Sequence, residues 1–251
     1  MDKKALLSTL DRIIETKVEM IRQTYSEVAP KEVEKEIKSD ALYGLLFRDI
    51  SEFYVQSVLG GRITTSLHRN FGDIVEMSVR EIFKSAFDLD DQLAQSSFTL
   101  KSIEKRSTRT TDVTLPYTAL EEKTVGRLRA FHEQLCKRHR RDVEGLHATC
   151  KGVGYEVRQC YKSNDSKRRT ADIDMSHLLA NKGLAPVMLI FCSSSSASII
   201  QDYNRLSKWL ILEGTAAFEY VNDVTGFNYR AYLDSKIEKL APQLRSLFQV
   251  D

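Results

Sequence analysis

At 251 residues, with 42% hydrophobic and 29% charged side chains, the chain is long and apolar enough to build one large domain or a compact core with a helical extension. A formal net charge of +2 excludes a uniformly basic nucleic-acid-binding surface. Any affinity for DNA must come from local clustering, and ten Lys or Arg residues do gather between Lys137 and Arg169. Four cysteines (Cys136, Cys150, Cys160, Cys192) without a regular framework predict a reducing, cytoplasmic setting. The charged start Asp2-Lys3-Lys4 does not read as a secretory signal, and the longest apolar run, Leu184–Cys192, is too short to span a bilayer as a helix.

In chain order, residues 1–60 read as a helical lobe. Leu6, Leu7, Leu10, Ile13, Ile14, Val18 and Ile21 recur at three- and four-residue spacing, which makes one apolar stripe. Gly60-Gly61 predicts a break, and residues 61–251 form the expected core. Within it, Asp73–Phe87 reads as an amphipathic helix, residues 96–118 as weak strands or loops, and Thr118–Val143 as a helix turning strongly basic towards its end.

From Lys151 onward strands and helices alternate. Gly152–Ser163 is a strand by alternation, and Ser166–Asn181 a helix capped by Asn164, Asp165 or Ser166. Pro186–Cys192 reads as a buried strand and Ala197–Trp209 as a helix capped by Ser193–Ser196. Leu210–Leu212 is a short strand and Thr215–Val224 a helix ended by Gly226. The expected fold class is α/β (α+β), a central mixed sheet flanked by helices, with the helical lobe in front.

The chemistry concentrates on GVGYEVRQCYKS. With a period of two, Val153, Tyr155, Val157, Gln159 and Tyr161 share one face, while Gly154, Glu156, Arg158, Cys160 and Lys162 share the other. A carboxylate and a guanidinium two residues apart suit phosphodiester hydrolysis: the acid holds a divalent ion and the cation stabilises phosphate charge. The bland alternative is a strand-face ion pair between Glu156 and Arg158. The segment Lys162-Ser163-Asn164-Asp165-Ser166-Lys167-Arg168-Arg169 places four cations at a helix N-terminus, where an anion such as a DNA phosphate is favoured.

The run EVRQCYKSNDSKRRTADID resembles the signature strand and following helix of type II restriction endonucleases of the PD-(D/E)xK nuclease superfamily. The similarity in layout extends over roughly residues 60–230, although only about twenty residues are specific in sequence. The resemblance implies a restriction-endonuclease-like core, Mg²⁺ as cofactor, double-stranded DNA as substrate and a homodimer on a two-fold site. It makes Glu156 the acidic metal ligand and places Arg158 where the family usually has lysine. Arginine does not transfer protons at neutral pH, which leaves Lys162 as the nearest lysine for that task. The pattern also asks for an upstream acid. Asp142 has suitable spacing, Asp112 is the alternative, and Glu76 in the segment His68–Glu76 would face the metal from the first core helix. DNA contacts fall to Lys162, Ser163, Asn164, Asp165, Lys167, Arg168 and Arg169. Asp172 and Asp174 read as exposed, or as paired with Arg168 and Arg169.

Two other functions compete: a non-catalytic DNA-binding protein, and a repair-type nuclease of the same fold without site specificity. A rival metal constellation is Cys136-x-x-His139 with His147-x-x-Cys150, His132 lying one helical turn before Cys136, whose gaps resemble those of structural zinc ligands. No Walker or dinucleotide glycine loop and no Gly-x-Ser-x-Gly elbow is present.

Overall fold

A computed structural model describes residues 1–27, 33, 35, 39, 51–95, 97–101, 106–138, 149–161 and 166–245. Asp142, Lys162, Ser163, Asn164, Asp165, His139 and His147 lie outside them.

The chain divides into two compact units. One comprises Met1–Thr9 and Val75–Tyr229, the other Leu10–Ile74 and Arg230–Asp251. The second is helical where described, formed from parts of α1 (Lys3–Glu27) and α2 (Ser51–Phe87) and nearly all of α8 (Tyr229–Arg245). The predicted stripe of α1 is buried, with Leu10 and Ile21 fully so, except for Leu7, which is exposed. Polar ties complete the packing: Lys17 donates to Asp73 at 2.6 Å, and Asp11 accepts from Tyr232 at 2.8 Å and pairs with Lys236 at 2.6 Å. Gly60-Gly61 does not break the helix; α2 runs unbroken through it. Two glycines cost a helix about 1 kcal/mol each relative to alanine, which a 37-residue element with buried residues on either side absorbs.

The first unit holds a four-stranded mixed sheet of β3 (Val113–Pro116), β4 (Gly152–Arg158), β5 (Leu184–Ile190) and β6 (Leu210–Glu213), in that order. β3 runs antiparallel to β4, and β4, β5 and β6 are parallel. A separate hairpin pairs β1 (Ser97–Lys101) with β2 (Arg106–Thr110). The parallel strands are joined through α5 (Ser166–Asn181) and α6 (Ala197–Leu206), which pack on one face. There Met175, Leu179, Ile199, Tyr203 and Trp209 close over Met188 and Ile190. The opposite face carries the end of α2, α4 (Glu122–Arg138) and α7 (Thr215–Thr225). Phe83 meets Tyr155 with ring centroids 4.8 Å apart, and His132 Nε2, Tyr220 Oη and Tyr155 Oη form a hydrogen-bonded chain of 2.7 and 2.9 Å. The unit is thus α+β, with a mixed sheet flanked by helices. A four-residue helix α3 (Asp91–Ala94) precedes the hairpin.

Several boundaries differ from the sequence expectations. β4 ends at Arg158 rather than Ser163, because the chain leaves the sheet at Gln159 and Cys160 is tied sideways to Cys192 by a disulfide. The cysteines are therefore not all thiols, unlike the sequence expectation; Cys136 and Cys150 lie outside the disulfide and are buried. The serines before α6 do not cap it through their side chains: Ser196 is the N-cap residue without such a bond, and Ser195 Oγ accepts from Tyr161 N–H at 3.3 Å. α7 ends as expected, with Gly226 left-handed at φ 73°. Among the described residues no helix is long and apolar enough to cross a membrane.

Candidate functional site

Because β4 lies inside the sheet with helices on both faces, neither of its faces is open. Val153, Tyr155 and Val157 are buried as the alternation predicted, but Tyr161, expected with them, lies beyond the strand in the cluster of Met175 and Leu179, and the polar face is buried too: Glu156 is only 5% exposed. That face lies beneath α5, and a side chain at Gly154 would run into Leu179. Glycine at this position lets the helix approach the strand closely. An acid and a guanidinium covered in this way must find partners in the protein.

Those partners come from three elements. The β3–β4 register pairs Val113 with Tyr155, so one residue further along Asp112 falls opposite Glu156. Asp112 Oδ2 accepts the Val157 N–H at 2.7 Å and Arg158 Nη1 at 3.1 Å, while its carbonyl accepts Arg80 Nε at 2.8 Å. Arg158 Nη2 pairs with Glu156 Oε1 and, at 3.2 Å, with Asp172 Oδ1 from α5. Arg158 Nη1 also donates to the Val157 carbonyl at 2.9 Å, and Nε to Tyr161 Oη at 3.3 Å. A guanidinium has five N–H donors. Here five acceptors surround it: three carboxylates, a carbonyl and a phenol.

The electrostatics follow from burial and this crowding. Burial pushes the Asp112 carboxyl up to about 6, against the pull of Arg158 and the Val157 N–H, and the Glu76 charge adds to the rise. For Arg158 burial works downward, but Asp112 and its other anionic neighbours outweigh it and lift the guanidinium above its ordinary value. It stays charged. Burial likewise raises Tyr161 and Tyr203, so both remain phenols able to donate.

A carboxyl raised in the folded state binds its proton there before it does in the unfolded chain. Stability from this group is therefore full below the unfolded value near 4 and lost as pH rises through about 6. Asp112→Asn, which can still accept the Val157 N–H, should remove this dependence. The wild type should lose stability relative to the variant by about 1.4 kcal/mol per pH unit between pH 4 and 6. Urea titrations at a series of pH values measure it; parallel curves for the two proteins would contradict the assignment.

Of the residues predicted from sequence, Glu156 and Arg158 meet in this cluster, and Asp112 is the described upstream acid beside them. Glu76 lies near enough for its charge to act on Asp112, but its carboxylate is engaged by Arg80 at 2.6 Å. His68 belongs to the other unit. Lys167 and Arg168 are exposed at the start of α5, while Arg169 pairs with Asp202 at 2.8 Å. Asp172 corrects the expectation of an exposed or Arg168/Arg169-paired residue. It is 4% exposed and bound to Arg158, with Oδ2 accepting Tyr161 Oη at 2.6 Å and Tyr203 Oη at 2.8 Å. Its backbone carbonyl takes the Trp209 indole N–H at 2.8 Å. A signal was present in the sequence: Asp172 shares the helical spacing of Met175, Ser176 and Leu179, the buried face of α5. As for zinc, Cys136 and Cys150 are buried thiols, and His132 is hydrogen-bonded to Tyr220. Among the described residues no three His, Cys, Asp or Glu side chains group closely enough to hold a metal ion by themselves.

The chain matches no known protein-family model, no curated protein and no solved structure.

Proposed function

We propose that the chain is a magnesium-dependent endonuclease of double-stranded DNA, with Asp112 and Glu156 as the carboxylates that hold the metal. The observation that carries this reading is the delivery of Asp112, just ahead of one strand, to the Glu156-x-Arg158 segment of its antiparallel neighbour. The order of elements after Lys151 is compatible with it: the strand of Glu156 and Arg158, then a helix, a parallel strand and a further helix.

The donor set fits magnesium. All the candidate ligands are carboxylate oxygens, and Mg²⁺ is commonly held by one or two carboxylates, with water and substrate phosphate completing its shell. A pair therefore suffices, and Asp112 Oδ1 and Glu156 Oε2 lie outside the bonds to Arg158. The surplus of charge points the same way: Asp112, Glu156 and Asp172 carry three negative charges around one guanidinium. The chemistry that Mg²⁺ supplies when bound is charge stabilisation at the phosphate and activation of a water. Arg158, with five acceptors around it, orders the carboxylates in this arrangement rather than reaching a phosphate. Lys167 and Arg168, exposed where α5 begins, attract the DNA backbone. Proton handling by Lys162, site specificity and a homodimer on two-fold DNA complete the proposal, in which Asp112 takes the place of Asp142 as the upstream acid.

The test is digestion of a supercoiled plasmid by the full chain with Mg²⁺. Glu156→Ala should lower cleavage by about a thousandfold, the scale of losing several kcal/mol of metal-assisted stabilisation, while DNA binding in Ca²⁺ persists. Discrete fragments indicate a sequence-specific enzyme and a smear a repair-type nuclease. Full binding with no cutting by the wild type refutes catalysis. That outcome would favour the second reading, a non-catalytic DNA-binding protein, which the complete engagement of Arg158 by protein groups supports.

A further inference from the structure

We infer that Asp172 is a positioning residue, holding the Arg158 guanidinium in the orientation that gathers Asp112 and Glu156 onto it. This role rests on the reading of that pair as the nuclease site. Asp172 is not needed for charge balance: Arg158 already faces Asp112 and Glu156, and a third carboxylate makes a buried cluster more negative. What it supplies is geometry. It stands on a different element from the strand it serves, and its own position is held from three directions. Tyr161 and Tyr203 donate to Oδ2 from the segment after β4 and from α6, and the Trp209 indole fixes its backbone. Oδ1 is thereby presented to Arg158 Nη2. The same Tyr161 hydroxyl accepts from Arg158 Nε while donating to Asp172, so carboxylate, phenol and guanidinium close a ring of hydrogen bonds. An arginine side chain with several rotatable bonds loses most of its freedom inside such a ring.

The consequence is local to Arg158 and can be read without metal or DNA. In the full chain labelled with ¹⁵N, the Arg158 Nε–H resonance is identified by its loss in Arg158→Lys. Asp172→Asn preserves shape and removes the charge. Exchange of the Arg158 Nε–H with solvent should accelerate at least about tenfold, as expected when a closed local structure opens more often. The Trp209 indole N–H, bound to the backbone of residue 172, should not change. Tyr203→Phe, which deletes one of the two donors to Oδ2, should give an intermediate acceleration, and it carries the test if Asp172→Asn does not fold. Unchanged Arg158 exchange in the folded variants overturns the proposal, and so does equal loosening of Trp209, the mark of a general structural role. In the plasmid assay Asp172→Asn should lower kcat about a hundredfold with DNA affinity intact, the scale of an ångström-level misplacement. If Arg158 responds while the wild type cuts no DNA, the positioning stands and the nuclease reading falls.

Discussion

Replacing Arg158 with alanine is expected to destabilise the fold by about 3–5 kcal/mol at neutral pH, the range for removing one partner from a buried ion cluster. The size of the effect comes from what remains. Asp112, Glu156 and Asp172 are 8%, 5% and 4% exposed, and without the guanidinium they lose the cation that all three share. Burial already raises the Asp112 carboxyl, and losing the downward pull of Arg158 should raise it further. The sign follows: the variant should recover stability as pH falls towards 5 and lose it again as pH rises. If the cluster is also the metal site, Mg²⁺ should raise the melting temperature of the variant more than that of the wild type, because binding to the folded state alone adds stability. Denaturant midpoints across pH, with and without Mg²⁺, decide it. A loss below about 1 kcal/mol would mean that the cluster is far more hydrated than its burial indicates.

The second large effect concerns the disulfide. Cys160 and Cys192 follow the ends of two adjacent parallel strands and close a loop with a sequence separation of 32. On the chain-entropy view, cross-linking a loop of that length removes about 3–4 kcal/mol of freedom from the unfolded chain. Cys160→Ser with Cys192→Ser, or reduction of the wild type, should cost about that much, and a reductant should leave the double variant unaffected. The native contacts should largely survive. The same two segments are already held by backbone bonds from Phe191, Cys192 and Ser196 to Arg158, Gln159 and Tyr161, at 3.0, 2.9 and 2.8 Å. Thiol counting in non-reducing denaturant provides a direct check: two titratable thiols, Cys136 and Cys150, are expected, and four would refute the bridge.

Much of the architecture was legible from local patterns. The stripe on α1, the unbroken apolar run of β5, the start of α5 at Ser166 and the end of α7 before Gly226 each follow from neighbours a few residues apart. That Glu156 and Arg158 share a strand face followed from alternation, and their ion pair is what the bland alternative foresaw. Other features lay beyond local reading. The alternation could not say that β4 would be covered on both faces, since that depends on α5 folding back over Gly154. Gly60-Gly61 signalled a break that the rest of a long helix overrode.

By itself, then, the sequence determined the kinds of elements, most of their order and the two residues at the centre of the cluster, because secondary structure and strand faces are set by spacing along the chain. Only the tertiary structure decided that Asp112 stands beside Glu156, that Asp172 is buried against Arg158, and that Cys160 bonds Cys192. These partners lie 44, 14 and 32 residues apart. Such meetings are produced by strand register and helix crossover, which no local pattern encodes. The chemistry of the site depends on these pairings: a lone acid–arginine pair becomes three carboxylates around one guanidinium.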